Sequence, residues 1–288
     1  LSNYWVEKGY RVTLMPTFSG RGECIYHLDE RVELDFLADR VSGNKHSIFN
    51  RLRRFWVLRK AILQVHPDVI VSFLTHVNVA AVLSAFGSKI PVIVSERTYP
   101  PRYPLGLTLE TLRRLLYPSA AAVVMQTEQG LTWLKDMVSK NNGVVIPNPI
   151  AYPMVNSSPV VIPKDIINKA GKICLSVGRL DEGKRFLEII IAFNDVASKF
   201  ADWDLVILGE GPERDDLEWK VSELGLQDRV YFPGHVGNVS DWYFCADVYV
   251  TNSRFEGFPN TLLEAMAHGM PVISSDCDTG PKEIITDG

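Results

Sequence analysis

Glu256 and Glu264 bracket seven residues, and the stretch between them reads Gly257-Phe258-Pro259-Asn260-Thr261-Leu262-Leu263. A strand expected over 247–251 precedes this stretch and another over 271–274 follows it. Glu256 is therefore expected in a strand-to-helix loop, with Pro259 in the first helical turn and Glu264 about one turn further in. Unpaired N–H groups at such a helix start, backed by the helix dipole, suit a phosphate. A carboxylate one turn further along can accept hydrogen bonds from sugar hydroxyls. The combination points to a pocket for a sugar nucleotide. Taken alone, Glu264 could equally be a solvated helix glutamate, and Glu256 a loop carboxylate that caps the helix starting at Asn260.

Other segments fall in a matching order. Ser176-Val177-Gly178-Arg179-Leu180 is followed by Lys184; Leu208-Gly209-Glu210-Gly211-Pro212 comes next, then Phe232-Pro233-Gly234-His235-Val236. Ile146-Pro147-Asn148-Pro149 lies upstream, and Asp276-Cys277-Asp278-Thr279-Gly280-Pro281-Lys282 lies downstream. Together with 253–274, these segments resemble the retaining glycosyltransferases of family 4, which adopt the two-domain GT-B fold. The likeness covers 143–288 closely and 1–142 loosely.

The resemblance implies roles residue by residue. Gly178, Arg179 and Lys184 correspond to the donor-phosphate loop, Gly211 to the loop after the next strand, and His235 to the segment along the nucleotide base. Gly257, Phe258, Pro259, Asn260 and Thr261 would contact phosphates and base, and Glu264 the ribose. Glu256 would touch and orient the donor sugar. Arg179 and Lys184 would stabilise the charge that grows on a departing nucleoside diphosphate. His76 resembles the histidine that many members place beside the transferred sugar, although a lone histidine at a helix start is as often structural. Glu96 and Arg97, after another strand, are candidate acceptor contacts; their plainer reading is a local ion pair.

The elements that must position these residues alternate regularly. Strand-like runs fall at 10–15, 68–73, 91–95, 121–126 and 144–146, with helices near 47–65, 77–86, 107–117 and 128–138. Proline-rich residues 147–163 read as a linker. The alternation restarts with strands at 172–177, 203–208, 230–232, 247–251 and 271–274, and helices near 185–200, 212–224, 238–245 and 259–268. This predicts an α/β chain of two doubly wound Rossmann-like domains facing a cleft, an acceptor-binding 1–149 and a donor-binding 150–288.

With 288 residues, 46% of them hydrophobic, the chain can bury two cores. No apolar run approaches the roughly 18 residues that span a bilayer, and no secretory leader is visible, so a cytoplasmic enzyme is expected. The opening at Leu1 and the stop at Gly288 both read as cuts, which predicts a fragment lacking the family's first strand and glycine-rich loop. Of the four cysteines, Cys24 is the candidate exposed thiol and Cys174, Cys245 and Cys277 the candidate core residues. Residues 1–150 carry a net +6 and the remainder −10. The segment 45–60 holds six basic residues and no acidic one, with Ile48, Leu52, Phe55, Trp56 and Ile62 at helical spacing. It reads as a packed helix with a charged outer face, or as a basic amphipathic surface which, with 102–117, would lie on a membrane beside a lipid-linked acceptor. No nucleic-acid-binding motif occurs, and the pI is about 5.9, so nucleic acid is excluded as a partner. No Asp-x-Asp follows a strand in the first half; no metal or other cofactor is expected, since two cations and a helix start can serve the diphosphate.

These features predict transfer of a hexosyl or N-acetylhexosaminyl unit from a nucleotide-sugar, expected to be UDP-linked, to a glycan or lipid-linked acceptor. The alternatives are a non-hydrolysing UDP-sugar epimerase and a catalytically silent sugar-nucleotide-binding module.

Overall fold

The computed structural model describes residues 1–16, 27–40, 48–138, 140, 142–167 and 171–286. The chain forms two compact units: Leu1–Arg97 with Tyr103–Ile146, and Pro147–Gly288 with Thr98–Arg102. The division falls after Ile146, three residues before the expected boundary, and one short excursion of the chain belongs to the second unit.

In the first unit, α1 (Ser2–Glu7), β1 (Thr13–Leu14) and β2 (Glu33–Leu34) precede the long α2 (Ile48–Val65). Then come β3 (Ile70–Phe73), α3 (Thr75–Ala85), β4 (Val92–Ser95), α4 (Leu107–Leu116), β5 (Ala122–Met125), α5 (Glu128–Met137) and β6 (Gly143–Val145). Strands β3-β4-β5-β6 make a four-stranded parallel sheet in chain order. The expected strand over 10–15 contracts to two residues and pairs with β2 in a separate ribbon. The β2 strand is two exposed residues long, too short to leave a periodic signal.

Helix α2 runs as expected, but its apolar residues do not share one face. Ile62 is buried and Phe55 half-buried, whereas Leu52 and Trp56 are exposed. Arg59 turns inward and donates to the carbonyls of Ser84 and Phe86 at 2.6 and 2.8 Å. Residues 45–47 and the side chains of 48–51 lie outside the described residues.

The second unit opens with α6 (Pro163–Ile166), followed by β7 (Lys172–Val177), α7 (Phe186–Ala197), β8 (Trp203–Leu208), α8 (Arg214–Glu223) and β9 (Val230–Gly234). It closes with α9 (Val239–Cys245), β10 (Val248–Thr251), α10 (Asn260–Ala267), β11 (Val272–Ser274) and α11 (Pro281–Ile284). The sheet is parallel, in the order β11-β10-β7-β8-β9. Successive residues of β8 serve opposite faces: Leu205 and Ile207 pack with Phe186, Ile190 and Leu217, while Val206 and Leu208 pack with Trp242, Tyr249 and Leu262. This two-sided burial explains why Leu205–Leu208 reads as an unbroken apolar run. The chain runs outward from β7 through β8 and β9, then returns to β10 on the other side of β7. The carboxyl ends of β7 and β10 therefore form the topological switch point, where such sheets bind ligands.

Cys174 lies in β7, and burial pushes its thiol up to about 12. Cys277 is buried, but Cys245 is exposed, contrary to expectation, because the last residue of α9 faces outward. Cys24 lies outside the described residues. Among the described residues, no helix is long and apolar enough to cross a membrane.

Candidate active site

The loop after β7 is built by its own turns. The Asp181 carboxylate accepts from the Gly183 N–H at 3.1 Å, and its carbonyl accepts from the Lys184 N–H at 3.0 Å. The Arg254 N–H donates to the Gly183 carbonyl at 2.8 Å, which ties this loop to the one after β10. The result brings Lys184 Nζ to 2.5 Å from Glu256 Oε1, across 72 residues of sequence. Arg179, on the same loop, is exposed and stands 3.7 Å from Asp181; in water such a pair is worth little, which leaves the guanidinium open to another anion. Gly178 lies beneath this loop: a Cβ there would touch the Lys184 side-chain carbons at 3.6 Å. Gly211 abuts the Leu180 carbonyl, where a Cβ would approach to 2.2 Å. Its role is therefore to let the loop after β8 support the phosphate-loop candidate from behind.

The loop after β10 is held from the other side. The Glu256 carbonyl accepts from the Thr279 hydroxyl at 2.5 Å. Gly280 packs so closely that a Cβ would meet Pro259 at 2.7 Å and Glu256 Cβ at 3.3 Å. Gly257 and Phe258 lead to Pro259, the residue before α10, and among the described residues no side chain caps that helix. Asn260 instead accepts from Asn148 Nδ2 at 2.7 Å, and the same amide donates to the Phe258 carbonyl at 3.1 Å. The Glu256 carboxylate pairs with Lys184 instead of capping the helix, and among the described residues no side-chain cap bond is made at this helix start. The Thr261 hydroxyl accepts from Tyr249 at 2.7 Å.

Glu264 sits one turn into α10. Its Oε2 accepts from the buried Tyr243 hydroxyl at 3.0 Å. Burial raises the Glu264 carboxyl above its ordinary range, against the opposing pull of that hydrogen bond and of His268. Burial also raises both tyrosine hydroxyls. His268 closes the helix, with Nδ1 2.7 Å from the Glu264 carbonyl oxygen and Nε2 2.8 Å from Ser240 Oγ. Sequence reasoning passed over Tyr243 and Tyr249, because nothing local distinguishes them from core residues, and it named Asn148 only within a matching segment, without a contact. His235 is exposed just after β9, whose last residue Gly234 accepts from the Gly209 N–H at 2.8 Å.

In the first unit, His76 is exposed at the start of α3. Arg97 is half-buried over the Phe73 ring, 5.3 Å from its centroid, and burial lowers its guanidinium pKa. Glu96 departs from expectation. It is 2% exposed, accepts from the Thr75 hydroxyl at 2.8 and 3.1 Å and from the Tyr117 hydroxyl, and lies 3.5 Å from Arg113, itself 2% exposed. Its carboxylate is consumed within the unit, so it is a structural anchor and not an acceptor contact. Its ion-pair partner is Arg113, not the neighbouring Arg97, because a side chain just past the strand end turns into the interior where Thr75, Tyr117 and Arg113 converge. Among the described residues, no three His, Cys, Asp or Glu side chains cluster as metal ligands.

A doubly wound parallel sheet with two cations, a paired carboxylate and a helix start at its switch point is an architecture suited to a phosphate-bearing ligand. Residues 160–288 match the family described as glycosyl transferases group 1, and residues 1–149 match the glycosyl transferase 4-like domain. The chain belongs to the glycosyltransferases, of the family-4 type with the GT-B fold.

It is 30% identical over 268 residues to a Campylobacter jejuni enzyme named GalNAc-alpha-(1->4)-GalNAc-alpha-(1->3)-diNAcBac-PP-undecaprenol alpha-1,4-N-acetyl-D-galactosaminyltransferase, covering 92% of this chain and 72% of that one. It is 27% identical over 290 residues to the amylovoran biosynthesis glycosyltransferase AmsD of Erwinia amylovora, covering 100% and 78%. The crystal structure of Anabaena Alr3699/HepE in complex with UDP and glucose superposes with a TM-score of 0.72 at 18% identity, covering 90% of this chain and 71% of that one. At that identity the likeness speaks for the fold. Two further solved structures are matched over only 47% of their own length.

Proposed function

We propose that this glycosyltransferase moves a hexosyl or N-acetylhexosaminyl unit from a UDP-linked donor to a glycan or lipid-linked acceptor, with retention of configuration and without a metal ion. The observation that carries the reading is the meeting of Lys184, Glu256 and the start of α10 at one switch point. UDP in the solved relative and the undecaprenol-linked acceptor in the name of the Campylobacter relative supply the ligand classes.

Arg179 and Lys184 hold the pyrophosphate and stabilise the charge it gains as the glycosidic bond to the phosphate oxygen breaks. The N–H groups of Gly257, Phe258, Asn260 and Thr261 share that load, so two cations and a helix start do the work a divalent ion does elsewhere. Glu264, oriented by Tyr243, accepts from the ribose hydroxyls, and His235 lies along the base. Glu256 contacts the donor sugar. Retention follows if the acceptor hydroxyl attacks from the face the diphosphate leaves and a phosphate oxygen takes its proton. Fixed positioning and leaving-group electrostatics then supply most of the acceleration. In the first unit, His76 and Arg97 are assigned to hydroxyls of the transferred sugar or the acceptor. The exposed Leu107, Arg114 and Leu115 of α4, with Leu52 and Trp56 of α2, suit peripheral contact with an anionic membrane.

The test is a calorimetric screen of UDP- and GDP-sugars, followed by transfer assays with a polyprenyl-diphosphate glycan and NMR of the new linkage. A UDP-sugar that binds and is transferred as the same anomer is expected. A donor converted to its epimer without acceptor overturns the assignment in favour of an epimerase, and UDP binding with no transfer to any acceptor favours a silent binding module.

A further inference from the structure

Lys184 and Glu256 neutralise each other in the free protein. Their charged atoms are 2.5 Å apart, the side chains are 28% and 13% exposed, and each stem rises from a loop fixed by backbone hydrogen bonds. A charge-assisted hydrogen bond in so sheltered a place is strong. Arg179 has no such constraint, since it is 73% exposed and its ion pair with Asp181 is long and screened. The ammonium has two further N–H groups, but an anion that draws it away competes with Glu256 for the same charge. Glu256 is then a less compensated carboxylate beside a diphosphate, an unfavourable neighbour.

What happens to that carboxylate depends on the ligand. On a sugar nucleotide, the group bonded to the terminal phosphate is the sugar, so a phosphate drawing on Lys184 puts sugar hydroxyls next to Glu256. Those hydroxyls can donate to Glu256 in place of the ammonium. A free nucleoside diphosphate offers no such donor. We propose that the Lys184–Glu256 pair discriminates donor from product: it is exchanged favourably by a sugar nucleotide, resists a nucleoside diphosphate, and re-forms after transfer to expel it. The inference rests on the donor site proposed above and adds a residue-level reason for product departure.

The experiment compares the dissociation constants of UDP and UDP-glucose for the parent chain and Glu256→Gln by calorimetry without acceptor. Glutamine keeps the shape and removes the charge that competes for Lys184. UDP is expected to bind Glu256→Gln at least about fivefold more tightly, while UDP-glucose gains less or weakens, so the preference for the sugar nucleotide narrows. Equal shifts for both ligands, or weaker UDP binding, overturn the proposal. If circular dichroism shows that Glu256→Gln does not fold, Glu256→Asp serves instead, because the shorter side chain lengthens the pair and predicts the same narrowing. A parent chain that binds neither ligand overturns the donor-site reading itself, and is thereby distinguished from a site that binds both but shows no exchange.

Discussion

A Cβ on Gly209 would stand 1.9 Å from the carbonyl oxygen of Gly178. The loops after β7 and β8 thus touch backbone to backbone, and Gly209 adopts φ +136, which L side chains rarely take. Gly209→Ala must push apart the loop that carries Arg179 and Lys184. A loss on the order of 3 kcal/mol is expected, a fall in Tm of roughly 6–12 °C. Gly225, at φ +70 with open space around its Cβ direction, is the control; Gly225→Ala should lose only about 1–2 kcal/mol. Similar melting temperatures for the two variants would mean that the close approach is not what demands glycine.

Arg179→Ala and Lys184→Ala should each lower kcat by about 10²- to 10³-fold, the scale seen when one preorganised donor to developing charge is removed. Saturating donor separates this from weakened binding. A kcat within about threefold of the parent would remove the residue concerned from the leaving-group role.

Glu264 links stability to pH in a definite direction. Burial raises its carboxyl above the ordinary range, so the protonated form favours the folded state. That contribution is complete below the ordinary glutamate pKa and is lost as pH rises through the raised value. Above the raised value the ionised group costs stability, and Glu264→Gln should melt at or above the parent temperature there, with the difference shrinking as pH falls towards the ordinary glutamate range. The same change should weaken UDP binding by about tenfold, since a charged acceptor for the ribose hydroxyls becomes a neutral one. A variant that melts lower above the raised value would show that the Tyr243 hydrogen bond outweighs desolvation.

Glu96 and Arg113 form a buried ion pair supported by Thr75, Tyr117 and Glu110. Removing one member strands a buried charge. Glu96→Leu should cost about 3–5 kcal/mol in urea unfolding, and adding Arg113→Met should recover a large part of it. Additive losses would mean that the two charges are not coupled.

Much of this fold is legible in the chain. Strands β7 and β8 fall on the residues that the apolar-rich runs mark, because strands buried on both faces carry mostly hydrophobic sequence between polar turns. The phosphate-loop candidates and the 256–264 segment announce themselves because a loop chemistry and a helix start are local events. Glu96 misleads for the opposite reason. A carboxylate after a strand looks like a site residue until Thr75, Tyr117 and Arg113 arrive from other elements to take it up. Exposed Cys245 and the split face of α2 likewise depend on which side of a helix meets the sheet.

The order of residue types along the chain determined the alternating α/β pattern, the kinds of groups at each loop and hence the class of ligand, since periodicity, turns and helix starts arise from near neighbours. The return of β10 to the flank of β7 was decided only by the tertiary structure. That crossing places Glu256 against Lys184 over 72 residues of sequence and turns two separate candidates into one exchangeable pair. Contacts of this kind depend on how sheet strands are ordered, and strand order is a property of the packed core that no stretch of neighbouring residues encodes.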